Sequence, residues 1–587
     1  MTDSATGRKT TYYYDFTDRL MKYVEQGGGY THSVGYEYDT LNNLTRLVET
    51  INGSARSTSY TYDADNRVTS VTDGTSTREY TYDAYGRVSQ RVTKHGSTAV
   101  NNEGIAYRTV NNKTTGQVAT LTNAAGTFEY TYDANGNITK VVFDGLETIY
   151  TYDKQNQLIR EDNEAAGLVW LWTYDEGGNI QARREYEYGT MTGKSKVVYG
   201  YTNSDWGDLL TSRGGKTVTS DAIGNMLSDG TWTYTWEHGR ELASMSSGGT
   251  TWSFTYDANG MRTSRTNGST TYSYVYNGGQ LSRMTMGPAI DATTENTITL
   301  DFTYDASGTP LSVNYNGTYY YYVTDLQGDV VAIVDTAGVK VVEYLYDAWG
   351  RLLITGGTKA ADLGVHNPLR YRGYVYDPES GLYYLQSRYY NPTLGRFINA
   401  DAFASTGQGI LGNNMFAYCS NNPVNYSDPS GEFGLVTLGI IISGVIGGVV
   451  SAASTAASGA SIEEVIVNGV IGAGSAAGTA AVAASSLSLG AVAFVSAGIG
   501  AISEITSQGA EYLFHKDDAD YERDLGESIA KVLYSAGMNS LGGTIAKGIN
   551  TVFAATDAAG TFVSGIASTG LGGMDFGARQ IIGAVMD

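Results

Sequence analysis

From residue 10 to about residue 352, aromatic and β-branched residues alternate with polar ones in short runs, each ending in a cluster of Asp, Asn and Gly. In "EYTYDANGNITKVV" (Glu129 to Val142) the alternation places one row of side chains on each side of a strand. Asp-Ala-Asn-Gly supplies the turn, because Asn and Gly accept the positive φ that hairpin turns demand. A second short strand completes the unit, "NITKVV" here and "RVTSVT" at Arg67. Strand, turn, strand is the predicted element throughout.

The unit recurs. A Tyr-Asp phrase carries its aspartate at Asp15, Asp39, Asp63, Asp83, Asp133, Asp153, Asp175, Asp257, Asp305 and Asp347. Successive spacings are 24, 24, 20, 50, 20, 22, 82, 48 and 42 residues, the long ones close to multiples of 20 to 24. Degenerate copies at Asp221, Tyr274 and Asp325 fill several of the gaps. A lone hairpin is marginal in water, so the units are expected to pair edge to edge into one continuous antiparallel sheet, each aspartate at or beside a turn. Tyr suits such strands, since its ring packs while its hydroxyl finds water or a partner. Of the 47 Tyr, only Tyr512, Tyr521 and Tyr534 lie beyond residue 432.

Repeats of this kind resemble the YD or RHS repeats of bacterial toxins and of the C subunits of insecticidal toxin complexes. The resemblance implies a hollow, spiralling β-shell that encloses a C-terminal toxin. The period alone also fits a β-solenoid or propeller-like stalk, and the next segment separates the two. Five of the seven prolines (Pro368, Pro378, Pro392, Pro423, Pro429) fall within 62 positions, a shift that marks a new architecture. There Arg372-Gly373, "DPESGLYYLQSRYYNPTLGRF" (Asp377 to Phe397), Asp401 and "NNPVNYSDPSG" (Asn421 to Gly431) resemble the RHS repeat-associated core domain, which plugs one end of the shell.

In many members of that family the core domain cuts its own chain after a terminal Asp-Pro-x-Gly-Leu. The chemistry needs two carboxyl groups packed so closely that both cannot ionise, one activating water and the other polarising the carbonyl. Carried over by motif, the candidates are Asp401 and Asp428, with Arg396 as the basic orienter and the cut near Glu432. Two departures weigh against cutting: Glu432 stands where the family has Leu, and Ala402 follows Asp401 where Pro is common. The alternative for the same residues is a pair of structural turns, since Asp before Pro commonly starts one.

Other chemistry is thin. One cysteine, Cys419, excludes an intrachain disulfide and a cysteine zinc site, and its apolar setting predicts a buried, inert thiol. The five histidines (His32, His95, His238, His366, His515) show no metal-ligand spacing, and the Gly-rich stretches lack a phosphate-loop pattern, so neither metal nor cofactor is expected. A net charge of −22 argues against binding nucleic acid, which needs a basic face.

Composition changes again near Glu432. From Phe433 to Ile462 and from Val465 to Ser503 there is no charged residue, and Gly and Ala are frequent. "FGLVTLGIIISGVIGGVV" is 18 uncharged residues, just long enough for a membrane span if helical. Small-xxx-small spacing favours close helix pairs, and Glu463 with Glu464 sits where a turn between them falls. A helical hairpin over about 435 to 503, held by the shell or inserted into a membrane after release, is the expectation.

The predicted organisation is therefore mainly β: a YD/RHS repeat shell (1–355), a core domain (356–432), and a mainly α, Gly/Ala-rich C-terminal region (433–587). The predicted role is a bacterial toxin carrier acting in competition or host attack. Its expected partners are its own C-terminal region as passenger, an immunity protein, and a membrane. The alternative is a cell-wall or surface protein whose repeats bind carbohydrate. A secreted or surface location is expected. Since no signal peptide is visible and a repeat begins within a dozen residues of Met1, either a specialised secretion machine exports the chain or it is the C-terminal part of a longer polypeptide. The unpaired strand edges of an open repeat end favour the second.

Overall fold

Each Tyr-Asp phrase closes the same five-residue turn. In the computed structural model, which describes residues 7–16, 19–27, 29–288, 297–402 and 411–432 with the backbone of 435–436, Asp63 illustrates it. The Asp63 N–H donates to the Arg67 carbonyl at 2.9 Å, and the Asn66 N–H returns to the Asp63 carbonyl at 3.1 Å. The side chain finishes the loop: Oδ1 accepts the N–H groups of Asp65 and Arg67, and Oδ2 accepts Arg67 Nε. Asn66 takes φ 60°, and Gly136 takes φ 87° at the equivalent place after Asp133. A register shift between Thr61 and Tyr62 is the bulge such a turn creates. Aspartate is thus required by three local donors, and Asn or Gly by the left-handed residue that follows.

The tyrosine before the aspartate joins one unit to the previous one. Tyr82 Oη donates to the Val68 carbonyl at 2.7 Å, and Val68 is the fifth residue after Asp63. Eleven tyrosines (38, 62, 82, 107, 132, 152, 174, 201, 256, 304 and 346) make this bond, and Trp236 Nε1 substitutes for one on the Met226 carbonyl. Most residues that accept the bond also bury their own side chains, Val68, Val88, Ile138 and Leu158 among them. Each bond contributes about 1 kcal/mol net, so the repeat is an energetic unit as well as a sequence one.

The strands form two antiparallel sheets of sequential neighbours. Nineteen strands run from Lys9 to Thr217, and fourteen from Thr219 to Gly356. The expected single continuous sheet is corrected here. Residues 201–211 form no strand, only two-residue strands follow at Ser212–Arg213 and Lys216–Thr217, and the Val218 N–H turns back to the Thr211 carbonyl at 2.9 Å. The turn chemistry lapses at "TNSDWGDLL", and the ladder stops with it.

A third, four-stranded sheet follows (Val375–Asp377, Leu382–Leu385, Arg388–Asn391, Arg396–Phe397). One apolar core joins it to both repeat sheets, with Trp170, Trp349, Tyr321, Tyr390, Phe397 and Tyr418 all nearly inaccessible. The Tyr390 and Tyr418 rings stack at 4.0 Å. Among the described residues no helix is long and apolar enough to cross a membrane. The helical reading of 433–587, the hairpin and its membrane insertion lie outside the described residues.

Candidate functional site

Segment 414–425, which follows the core sheet, sits on the turns of the first repeat sheet through asparagines. Asn414 donates to the Gly177 carbonyl and to Asn179, Asn421 to Gln157 and the Gly178 carbonyl, and Asn422 to Asn137. Asn425 accepts the Ile138 N–H at 2.8 Å and donates to Tyr152 Oη at 3.0 Å. Three successive Tyr-Asp turns are thereby gripped, at 133–137, 153–157 and 175–179. On the second sheet Arg262, fully buried, forms a two-point ion pair with Asp377 at 2.5 and 3.0 Å.

Within this frame Asp401 and Asp428 come together. Both are buried, and Arg388 Nη2 lies 2.9 Å from Asp401 Oδ2 and 3.2 Å from Asp428 Oδ2. Arg396, the arginine expected there, is placed elsewhere: it donates to Tyr201 Oη and to the Asp208 carbonyl, tying the core sheet to the strandless segment 201–211. Arg388 belongs to the same matched motif, eight residues earlier, and no sequence signal distinguishes the two arginines; only strand register does.

The segment after Asp428 lies against the strand connection 385–388. Ser387 Oγ and N–H both donate to the Ser430 carbonyl, Arg388 Nε donates to the Gly431 carbonyl, and Gln386 reaches the Pro429 carbonyl. Gly431 adopts φ 75°, and a Cβ there would lie 2.5 Å from the Leu385 carbonyl oxygen, so the glycine of Asp-Pro-Ser-Gly is required by space as well as by conformation. The Glu432 N–H donates to Asp428 Oδ1 at 3.0 Å. Beyond it the backbone returns, Leu435 and Val436 pairing with Ser427 and Tyr426. Strands 426–427 and 435–436 are thus paired next to Asp428.

Electrostatics split the carboxyl groups. Burial pushes Asp428 up to about 6 against the pull of Arg388, with Asp401 adding to the rise. Burial, then the charges of Asp401 and Asp428, push Glu432 up to about 7. Near neutral pH such a cluster holds protons beside ionised oxygens, the condition for acid and base roles in one site. Cys419 is buried nearby, its thiol pushed well up by burial and by Asp428. No cluster of metal-ligating side chains occurs among the described residues.

Residues 81–424, more than half of the chain, match the teneurin YD-shell family model. The chain belongs to that family. A further match to the RHS repeat covers residues 62–98. Among solved structures, this YD-shell superposes on the Tc holotoxin pore of Photorhabdus luminescens with TM-score 0.52 and 16% identity, covering 73% of this chain and 26% of that one. That likeness shows the fold. Among curated proteins, the tRNA nuclease WapA of Bacillus subtilis is 34% identical over 286 residues, 48% of this chain and 12% of the relative. The tRNA3(Ser)-specific nuclease WapA of Bacillus spizizenii is 32% identical over the same shares. Double-stranded DNA deaminase toxin A of Burkholderia cenocepacia is 38% identical over 117 residues, 20% of this chain and 8% of the relative. The YD-shell chain thus matches only a small part of each.

Proposed function

We propose that residues 1–432 are a carrier that houses and delivers the following segment, 433–587, as a toxic effector. One observation carries this reading. Relatives that match parts of this chain at 32–38% identity bear names for different chemistries, tRNA cleavage and DNA deamination. A common part joined to divergent activities is what a carrier with exchangeable cargo produces. Delivery outside the producing cell, an immunity protein that protects it, and insertion of 433–503 into a membrane belong to the same reading. The test is expression in a bacterial host: 433–587 alone arrests growth or permeabilises cells, whereas 1–432 alone does not. Harmless 433–587 would end the cargo reading.

We further propose that Asp401 and Asp428 cut the chain after Glu432. Asp401, held by Arg388, takes a proton from water, whose hydroxyl adds to the Glu432 carbonyl carbon. Protonated Asp428 donates to the carbonyl oxygen, and collapse breaks the C–N bond as Asp401 passes its proton to the nitrogen of residue 433 and Asp428 takes its own proton back. The geometry beside Glu432 supports this assignment over turns alone. Purified protein should run as two fragments on a denaturing gel, 1–432 and 433–587, and Asp428→Asn should stay whole. Intact wild-type protein under all conditions would return Asp401 and Asp428 to a structural role.

A further inference from the structure

Glu432 is 9% exposed, and among the described residues no hydrogen bond reaches its carboxyl group. Its backbone is fixed by Asp428, and its neighbours by Arg388 and Ser387. Arg388 bridges Asp401 and Asp428, and the charges of both aspartates act on Glu432, whose N–H is bonded to Asp428. Arg240, which donates to the Ala400 carbonyl, faces Asp401 from the second sheet. Tyr374 Oη accepts the Asp428 N–H, and Cys419 faces Asp428. With all three carboxyl groups ionised, the pocket carries more negative charge than Arg388 neutralises, and burial makes that excess costly.

We propose that Glu432 is a proton-operated positioning residue, so that the bond after it is presented to Asp401 and Asp428 only while the Glu432 carboxyl is neutral. This rests on the self-cleavage reading and adds a condition to it. A leucine at this place would be seated at every pH; a glutamate is seated only with its proton. The folded group sits near 7 against an ordinary 4.5, so the seating it supports is complete in acid and lost as pH rises through about 7. Asp428, pushed up to about 6, is lost in the same direction.

The experiment uses the full chain, purified at pH 8 and moved to buffers between pH 5.5 and 8. Hydrogen exchange over 426–432, corrected for chemical exchange rates, reads seating; a denaturing gel reads cutting. In wild type, protection should fall at least ten-fold from pH 5.5 to 8, and cutting with it. In Glu432→Gln, whose circular dichroism must match wild type, the fall should shrink at least three-fold, leaving only the part that Asp428 contributes. A Glu432→Leu chain should be protected likewise. Protection independent of pH in wild type, or the same fall in Glu432→Gln, would overturn the proposal while cutting by any form left the self-cleavage reading standing. No cutting by wild type, Glu432→Gln or Glu432→Leu at any pH would remove both.

Discussion

An aspartate in a Tyr-Asp turn and an aspartate in the core sheet perform opposite kinds of work. Asp63 is satisfied within five residues, by two backbone N–H groups and by Arg67, and it sits near water. Asp377 is buried, and its partner Arg262 is 115 residues away. The first is written into the local sequence and repeated many times over, so losing one exposed copy costs little, although Asp305, buried against Arg78, belongs with the second kind. The second is unique and desolvated, so losing either partner leaves a buried charge without its counterpart. Redundancy in the repeat sheets thus stands against singularity in the core region, and the proposed self-cleavage belongs to the singular part.

The largest expected effect is on that chemistry: Asp428→Asn should abolish cutting after Glu432 on a gel, while no single turn aspartate in the repeat sheets should alter it. Next is stability. Asp377→Ala should cost about 3–5 kcal/mol in chemical denaturation, because Arg262 remains buried and unpaired. A loss below about 1 kcal/mol would erase the contrast drawn above.

A buried pair between the two repeat sheets sharpens it through pH. Glu161 accepts the Ala348 N–H at 2.9 Å, and burial with the charge of Asp347 pushes it up to about 8. A raised folded value means its contribution is present in acid and lost as pH rises through about 8. Stability should therefore fall between about pH 5 and 8 by up to about 1.4 kcal/mol per pH unit and level off above that, and Glu161→Gln should flatten that slope. A slope unchanged in the variant would assign the dependence elsewhere.

Smaller effects probe the joins. Asn421→Ala, which strips two contacts from buried partners on the 153–157 and 175–179 turns, should cost about 1–3 kcal/mol. Tyr82→Phe removes one hydroxyl from the inter-repeat ladder and should cost about 1 kcal/mol. Asp83→Ala, at a more exposed turn, should cost about 0.5 kcal/mol. Reversal of this order, with the turn aspartate dearer than the core asparagine, would break the comparison.

The repeats were legible because their causes are local. Period, alternation and the Asp-x-x-Asn/Gly turn follow from φ, from side-chain donors within four residues, and from strands that need an edge to pair with. The bulge at each tyrosine and the bond from its hydroxyl to the previous unit follow once those turns form, yet they require two units in space. The Asp401 and Asp428 pair was legible only through resemblance to a known motif. The choice of Arg388 over Arg396 was not, since both lie in one short run and differ only in which strand of the core sheet carries them.

By itself, then, the sequence determined the β unit, its turn, its repetition and the change of architecture after residue 355, because each depends on neighbours in the chain. The tertiary structure alone decided where the ladder breaks at Val218, which asparagines grip which turns, and which arginine bridges the aspartates. It also decided that Glu432 shares their pocket. Those facts depend on residues from different strands and turns, hundreds of positions apart for the asparagines, being desolvated together, and burial is a property of the assembled fold, which no stretch of sequence carries alone.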